Sequence, residues 1–285
     1  MGFLDIIGSA LSAAAGSIGK VLGSVGGALA SFASRAVGVV GQIASKAGAF
    51  MNLLSSLPLG PLGPVIGTII EQIALKVIAM SIEYLAKKLG IIDAEEKSEE
   101  VGYRVEEAQE HEDWKKQEDF PSFEEYYAYL KDQIPDAEID YAKLKENRER
   151  YRLLGTMELT HGLEERMEIK LPEEFLFEIG RSRMEGVEVQ AIVEAFKRLG
   201  YESVNLSDYL QGKLERKESK QIEKALLSSM KKYYPDKAED ALYERLGVMR
   251  MASRDDAKLF DVYEDKFTEE NRKKIEANPN AIEDL

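Results

Sequence analysis

The sequence contains no cysteine, two histidines and a single tryptophan in 285 residues. Without cysteine the chain forms neither disulfides nor thiolate metal sites, although this leaves its cellular compartment open. The two histidines, His111 and His161, are far apart in sequence and neither belongs to an HExxH pattern. We therefore expect no bound metal and no cofactor.

Sequence motifs of common catalytic sites are also lacking. The chain has no GxSxG nucleophile elbow, no GxxxxGK[ST] phosphate loop and no GxGxxG after a strand pattern. Carboxylates are so numerous that their pairing carries no information about acid–base catalysis. We expect a protein that is not an enzyme.

Charge is nearly absent from the first third of the chain. Residues 1–92 carry six basic and three acidic side chains, a net charge of +3, whereas the whole chain has a net charge of −14 and residues 93–285 therefore −17. Nucleic-acid binding requires a clustered basic face, which the acidic part does not offer. This asymmetry instead predicts a surface-seeking segment joined to a solubilising body.

The first apolar segment, residues 3–56, has a helical period. On a helical wheel its polar side chains gather on one side, and bulky apolar ones gather opposite. We predict one long amphipathic helix whose apolar face contacts a membrane or a partner protein; the residues of that face are Ile7, Leu11, Ile18, Val25, Leu29, Phe32, Ile43, Phe50 and Leu54. Its many glycines disfavour helix formation in water, so a surface is needed for it to fold.

Small residues recur in this segment at four-residue spacing, which allows two helices to approach closely. The glycines predicted to make such helix–helix contacts are Gly8, Gly16, Gly19, Gly23 and Gly27. The spacing favours a homo-oligomer.

A Pro/Gly-rich stretch follows and must interrupt the helix. Its predicted hinge residues are Pro58, Gly60, Pro61, Gly63 and Pro64. A second apolar helix is predicted over 65–89, ended by Gly90. Its polar residues other than Glu71 form one stripe, which suits a protein groove, oligomer or pore wall better than a lone membrane span.

The remaining residues predict an acidic helical body. We expect residues 93–119 to be a solvated helix or hinge without a packed core, and residues 120–285 to be an acidic domain of short helices. The predicted fold class is all-α: a long N-terminal amphipathic Gly/Ala-rich helical hairpin over residues 1–92, followed by a C-terminal helical bundle. One short strand is allowed at residues 167–171.

The Gly-rich stretch from Gly2 to Gly90 resembles the apolar regions of glycine-zipper pore-formers, and its plan is similar to the hydrophobic hairpin of pore-forming colicins. The resemblance implies a membrane-active secreted effector, toxin or virion penetration protein. Because Met1–Asp5 lacks a cationic segment, we expect delivery by a route independent of a signal peptide, followed by membrane association.

Helical periodicity does not distinguish lipid from protein as the apolar neighbour. The alternative is therefore a non-enzymatic structural or cargo component of a phage particle or secretion machine. In that case a chaperone, tube or capsid would bury the hairpin, and the acidic body would keep it soluble until then.

Overall fold

The structure is a computed structural model that describes residues 25–36, 38–55, 63–255, 258–266, 268, 270–271 and 273–274. Within these residues the regular structure is helical, apart from one isolated parallel bridge between Lys170 and Ser203. The all-α prediction is confirmed, and the short strand expected at residues 167–171 amounts to that one bridge.

The helices differ widely in length, from six to 26 residues. In chain order they are α1 (residues 25–33), α2 (Gly38–Ser55), α3 (Gly63–Lys88), α4 (Ser98–Gln109), α5 (Phe123–Gln133), α6 (Tyr141–Glu146), α7 (Arg148–Met167), α8 (Glu173–Arg181), α9 (Gly186–Arg198), α10 (Leu206–Gln211), α11 (Arg216–Tyr233), α12 (Glu239–Arg254) and α13 (Lys258–Tyr263). Short 3₁₀ turns lie at Gln117–Asp119, Asp136–Glu138 and Glu264–Lys266.

The chain divides into two compact units. The first unit contains the described residues of Gly23–Leu53 and Ala79–Ile169, and the second contains those of Leu54–Ile78 and Lys170–Leu285. The three predicted segments, residues 1–92, 93–119 and 120–285, are a division by composition and stay a prediction.

Helix α4 is the buried spine of the first unit. Val101, Arg104 and Val105 are fully buried, so the expectation that residues 93–119 lack a packed core is wrong. The physical reason is charge pairing: Glu99 meets Arg152 at 3.2 Å, Glu106 meets Arg150 at 2.8 Å, and Glu107 meets Lys143. Carboxylates paired in this way do not require a water-facing helix.

Each nitrogen of the Arg104 guanidinium has a partner inside the first unit. Its guanidinium donates to the Ile134 carbonyl at 2.9 Å, to Glu96 Oε1 at 2.8 Å, to the Tyr127 hydroxyl at 3.0 Å and to the Asp136 carboxylate. Removing one partner of such a buried group typically costs about 3–5 kcal/mol. This network therefore fixes α4 to the chain that follows it.

The closest approach between α4 and α7 is made by two glycines. A Cβ on Gly155 would lie 1.8 Å from the Ser98 carbonyl oxygen, and one on Gly102 would lie 2.0 Å from the Tyr151 carbonyl oxygen. Glycine often follows the end of a helix, but α7 continues through Gly155 to Met167. Gly155 serves close packing rather than helix termination.

In the second unit, α8 packs on α3 and is tied to α12. The Cβ position of Gly180 is 3.1 Å from Ala74 Cβ, and Arg181 Nε donates to the Ala252 carbonyl at 3.0 Å. Helix α12 contains two residues that commonly mark helix ends, Gly247 and Ser253, and it continues through both. Ser253 lies inside α12, where its hydroxyl donates to Glu178 at 2.6 Å.

Other helix ends follow local sequence signals, among them the predicted stop at Gly90. Ser122 caps α5 by accepting from the Glu125 amide at 3.3 Å. Gly90 and Gly200 have φ of +74° and +80° and follow the ends of α3 and α9. In both, the next residue's amide donates to the carbonyl five residues earlier, at 2.9 Å and 3.1 Å, the hydrogen bond of a Schellman motif.

Candidate functional site

The predicted apolar face is buried wherever the structure describes its side chains. Val25, Leu29, Phe32, Ile43 and Phe50 are between 0% and 7% exposed, all in the first unit. Leu54 lies in the last turn of α2 with its side chain outside the described part, and Ile7, Leu11 and Ile18 are outside the described residues. The folded chain itself therefore covers every face residue whose side chain the structure describes.

The opposite side of α1 and α2 faces solvent. Ser31, Gln42, Ser45 and Lys46 are exposed, in the phase that the periodicity predicts. Both helices thus keep the amphipathic pattern, with side chains three or four residues apart on one buried face.

The single continuous helix predicted over residues 3–56 is wrong at one place. Helix α1 ends at residue 33, and Gly38 begins α2 with a φ of +64°. The Arg35 and Ala36 amides both donate to the Phe32 carbonyl, at 2.9 and 2.8 Å. This corner, formed by residues 34–36 and Gly38, needs glycine because other residues rarely adopt a positive φ.

Two acidic side chains meet the corner. Arg35 lies 3.9 Å from Glu110, with both side chains 63% exposed, so this ion pair contributes less than about 1 kcal/mol. The Glu118 carboxylate lies against Gly38, since a Cβ there would be 2.3 Å from Glu118 Oε1. A carboxylate at the first residue of a helix is electrostatically favourable. The corner is therefore the point where acidic side chains meet the N-terminal segment.

The glycines predicted to pack helices against one another are not brought together in the described chain. Gly27 is exposed, and a Cβ built on it meets no atom within 4 Å. Gly8, Gly16, Gly19 and Gly23 are outside the described residues. Close glycine packing occurs instead at Gly102 and Gly155, described above.

The predicted hinge is described only at its end. Pro58, Gly60 and Pro61 are outside the described residues, whereas Gly63 and Pro64 are the first two residues of α3. Proline fits the first turn of a helix because its missing amide proton would have no partner there. The second helix, predicted over residues 65–89, therefore begins two residues earlier, at Gly63.

Helix α3 has the polar stripe that the sequence predicts. Gln72, Lys76, Glu83 and Lys87 are half-buried, whereas Glu71, which lies off the stripe, is only 7% exposed. Burial raises the pKa of Glu71 to about 7. No helix among the described residues is long and apolar enough to cross a membrane.

Glu83 also links α3 to the next helix. Its Oε1 accepts from the Ser98 amide at 2.8 Å and from the Ser98 hydroxyl at 2.7 Å. The carboxylate therefore satisfies the first amide of α4, one of the donors that a helix leaves free at its N-terminus.

The histidines show no sign of metal binding in the described part of the chain. His111 stacks on Trp114 with ring centroids 4.1 Å apart, and His161 Nε2 lies 3.2 Å from Glu165 Oε1. No group of histidine, aspartate and glutamate side chains there could hold a metal ion.

Sequence reasoning missed a buried polar cluster in the first unit. It consists of Glu158 on α7, Tyr126 on α5 and Gln117 in the 3₁₀ turn, which are 0%, 0% and 5% exposed. Glu158 stands between Met157 and Leu159, and its charge predicts exposure, so only the packing of α7 reveals its burial. An apolar-period search does not detect an isolated buried carboxyl.

Comparison with known proteins gives no relative. No protein-family model matches the chain, and no curated protein or solved structure matches it either.

Proposed function

We propose that this is a non-enzymatic, membrane-active protein, a pore-forming or membrane-penetrating effector, toxin or virion penetration protein. In the stored form its N-terminal apolar face lies against its own acidic body. In the active form that face enters a bilayer. The observation that carries the proposal is the near-complete burial of all five described face residues on helices whose other side is exposed.

The energetics support a conditional segment. Burying a large aliphatic or aromatic side chain is worth about 1.5–3 kcal/mol, so five of them contribute on the order of 10 kcal/mol. Release into water forfeits that gain, whereas release into lipid replaces one apolar environment by another. The free-energy cost of separating the N-terminal segment from the acidic part of the chain is therefore low only where another apolar surface can bind the segment.

The remaining features fit the same proposal. Residues 1–92 would form the helical hairpin with its hinge at Pro58–Pro64, and glycines such as Gly27, whose Cβ position is open, would pack copies in a homo-oligomer. The net charge of −17 on residues 93–285 would keep the protein soluble before it meets a membrane.

Dye release from liposomes tests the proposal. The full chain is added to anionic liposomes loaded with a fluorescent dye, and helix content is followed by circular dichroism. We expect dye leakage together with a gain in helicity, because the net +3 segment favours an anionic surface. Absence of both would overturn the proposal.

The alternative function is a structural or cargo component of a phage particle or secretion machine. It is favoured by the burial of the five described face residues, which protein atoms already cover so that each is only 0% to 7% exposed. A soluble oligomer of defined mass by light scattering, indifferent to liposomes, would support this alternative.

A further inference from the structure

Glu158 is a fully buried carboxyl on α7. Both of its oxygens lack a hydrogen bond, as do the Tyr126 hydroxyl and both polar atoms of the Gln117 side chain, in the part of the chain that the structure describes. Buried polar atoms are rarely left unpaired, because each costs about 1–3 kcal/mol. An ionised carboxylate in this place would cost far more.

The surroundings of Glu158 favour its neutral form. Burial raises its pKa to about 8, and the negative Glu165 on the same helix acts in the same direction. The Gln117 side chain opposes the shift, and Tyr126 on α5 also feels the charge of Glu158. The carboxyl is therefore protonated when the protein is closed around it at neutral pH.

The 3₁₀ turn Gln117–Asp119 connects this carboxyl to the N-terminal segment. The Gln117 side chain lies near enough to Glu158 to lower its pKa without a hydrogen bond of normal geometry, and the next residue, Glu118, places its carboxylate against Gly38 at the start of α2. Two adjacent residues of one short turn thus lie beside the buried carboxyl and beside the corner, respectively. A displacement of the turn changes both contacts together.

We propose that protonated Glu158 holds the 3₁₀ turn closed and keeps the corner of α1 and α2 docked, and that ionisation of Glu158 releases them. The inference rests on the proposed function only for what the released segment does next. The device is a pH-controlled latch that is closed in acid and opens toward neutral and mildly alkaline pH.

The direction follows from proton linkage. The closed form holds the Glu158 proton up to about pH 8, whereas an opened, solvated carboxyl loses it near its ordinary value of 4.5. The stability that this group gives the closed form is complete below pH 4.5 and is lost as the pH rises toward 8. The opening constant rises by at most about tenfold per pH unit in this window.

Another carboxyl near the corner changes in the same direction. Burial raises the pKa of Glu106, against the opposing charges of Arg150, Lys143 and Arg35, while Glu107 adds to the rise. A substitution at Glu158 is therefore needed to isolate its own contribution.

Thiol labelling without lipid tests the latch. Because the chain has no cysteine, Ala47→Cys places a single thiol at a fully buried position of α2, and Ser45→Cys places one at an exposed position. The ratio of the two labelling rates removes the common effect of pH on thiol reactivity. We expect this ratio to rise from pH 5 to pH 8, and to rise much less when Glu158→Gln is added, the remaining rise being the contribution of Glu106.

A matched control and a second probe complete the labelling experiment. Glu124→Gln, at an exposed carboxyl of α5, should leave the pH dependence unchanged. Ala44→Cys provides another buried thiol should Ala47→Cys disturb packing. A flat ratio in the cysteine variants that keep Glu158, or an equal rise after Glu158→Gln is added to them, would overturn the latch.

Carboxyl ¹³C NMR of the original, cysteine-free chain gives an independent measurement. The glutamate signal that disappears in Glu158→Gln should titrate near pH 8, and a midpoint near 4.5 would overturn the inference. Both measurements report release alone. If they succeed while liposomes do not leak, the latch stands and the proposed membrane activity fails.

Discussion

Gly155→Ala should destabilise the first unit by about 3 kcal/mol or more. Its new methyl would lie 1.8 Å from the Ser98 carbonyl oxygen, so α4 and α7 would have to move apart along their glycine contact. The atoms in contact belong to the helix backbone, which cannot move aside as the end of a flexible side chain can. Denaturant unfolding followed by Trp114 fluorescence, a probe packed on the Tyr103 cluster of this unit, measures the loss.

Gly247→Ala is the matched control for that substitution. Gly247 is also inside a helix, α12, but a Cβ there meets no atom within 4 Å. The change should stabilise the protein by about 0.5–1 kcal/mol, since alanine loses less backbone entropy than glycine. Similar losses of stability in both variants would contradict the close approach of α4 and α7.

Phe32→Asp should abolish membrane activity and weaken the stored form. Phe32 is 1% exposed in the middle of the buried face, and truncating a buried phenylalanine typically costs about 3–5 kcal/mol before the added charge is counted. The same carboxylate would oppose entry of the face into lipid. Thermal unfolding and liposome leakage measure the two effects separately.

Ser31→Asp introduces the same charge at the neighbouring exposed residue and should leave both quantities nearly unchanged. Full leakage by Phe32→Asp would show that the apolar face of α1 does not enter the membrane. Loss of leakage in both variants would indicate a general effect of charge instead.

The parts of the fold that the sequence predicts are those set by local chemistry. Ser122 and Glu125 mark the start of α5, and Gly90 marks the end of α3, because each signal acts within one helical turn. The stripes of α1 to α3 are predicted for the same reason. A 3.6-residue period identifies which side chains are covered without identifying what covers them.

The parts that the sequence misses depend on residues distant in the chain. Gly155 has the composition of a helix end, yet its contact is Gly102, 53 positions earlier. The acidic residues of α4 suggest solvent exposure until their partners Arg150 and Arg152 are placed beside them. Glu158 gives no local signal at all, because its burial is created by the packing of α5 and the 3₁₀ turn on α7.

A covalent lock on the corner tests the central claim that the N-terminal segment leaves its own body in order to act. Arg35→Cys and Glu110→Cys replace an exposed pair whose charged atoms are 3.9 Å apart, and a short bismaleimide can join the two thiols in this cysteine-free chain. The controls are the double variant with its thiols capped separately and the lock applied to Arg35→Cys alone. We predict leakage from both controls and none from the locked protein; equal leakage from the locked protein would contradict the claim.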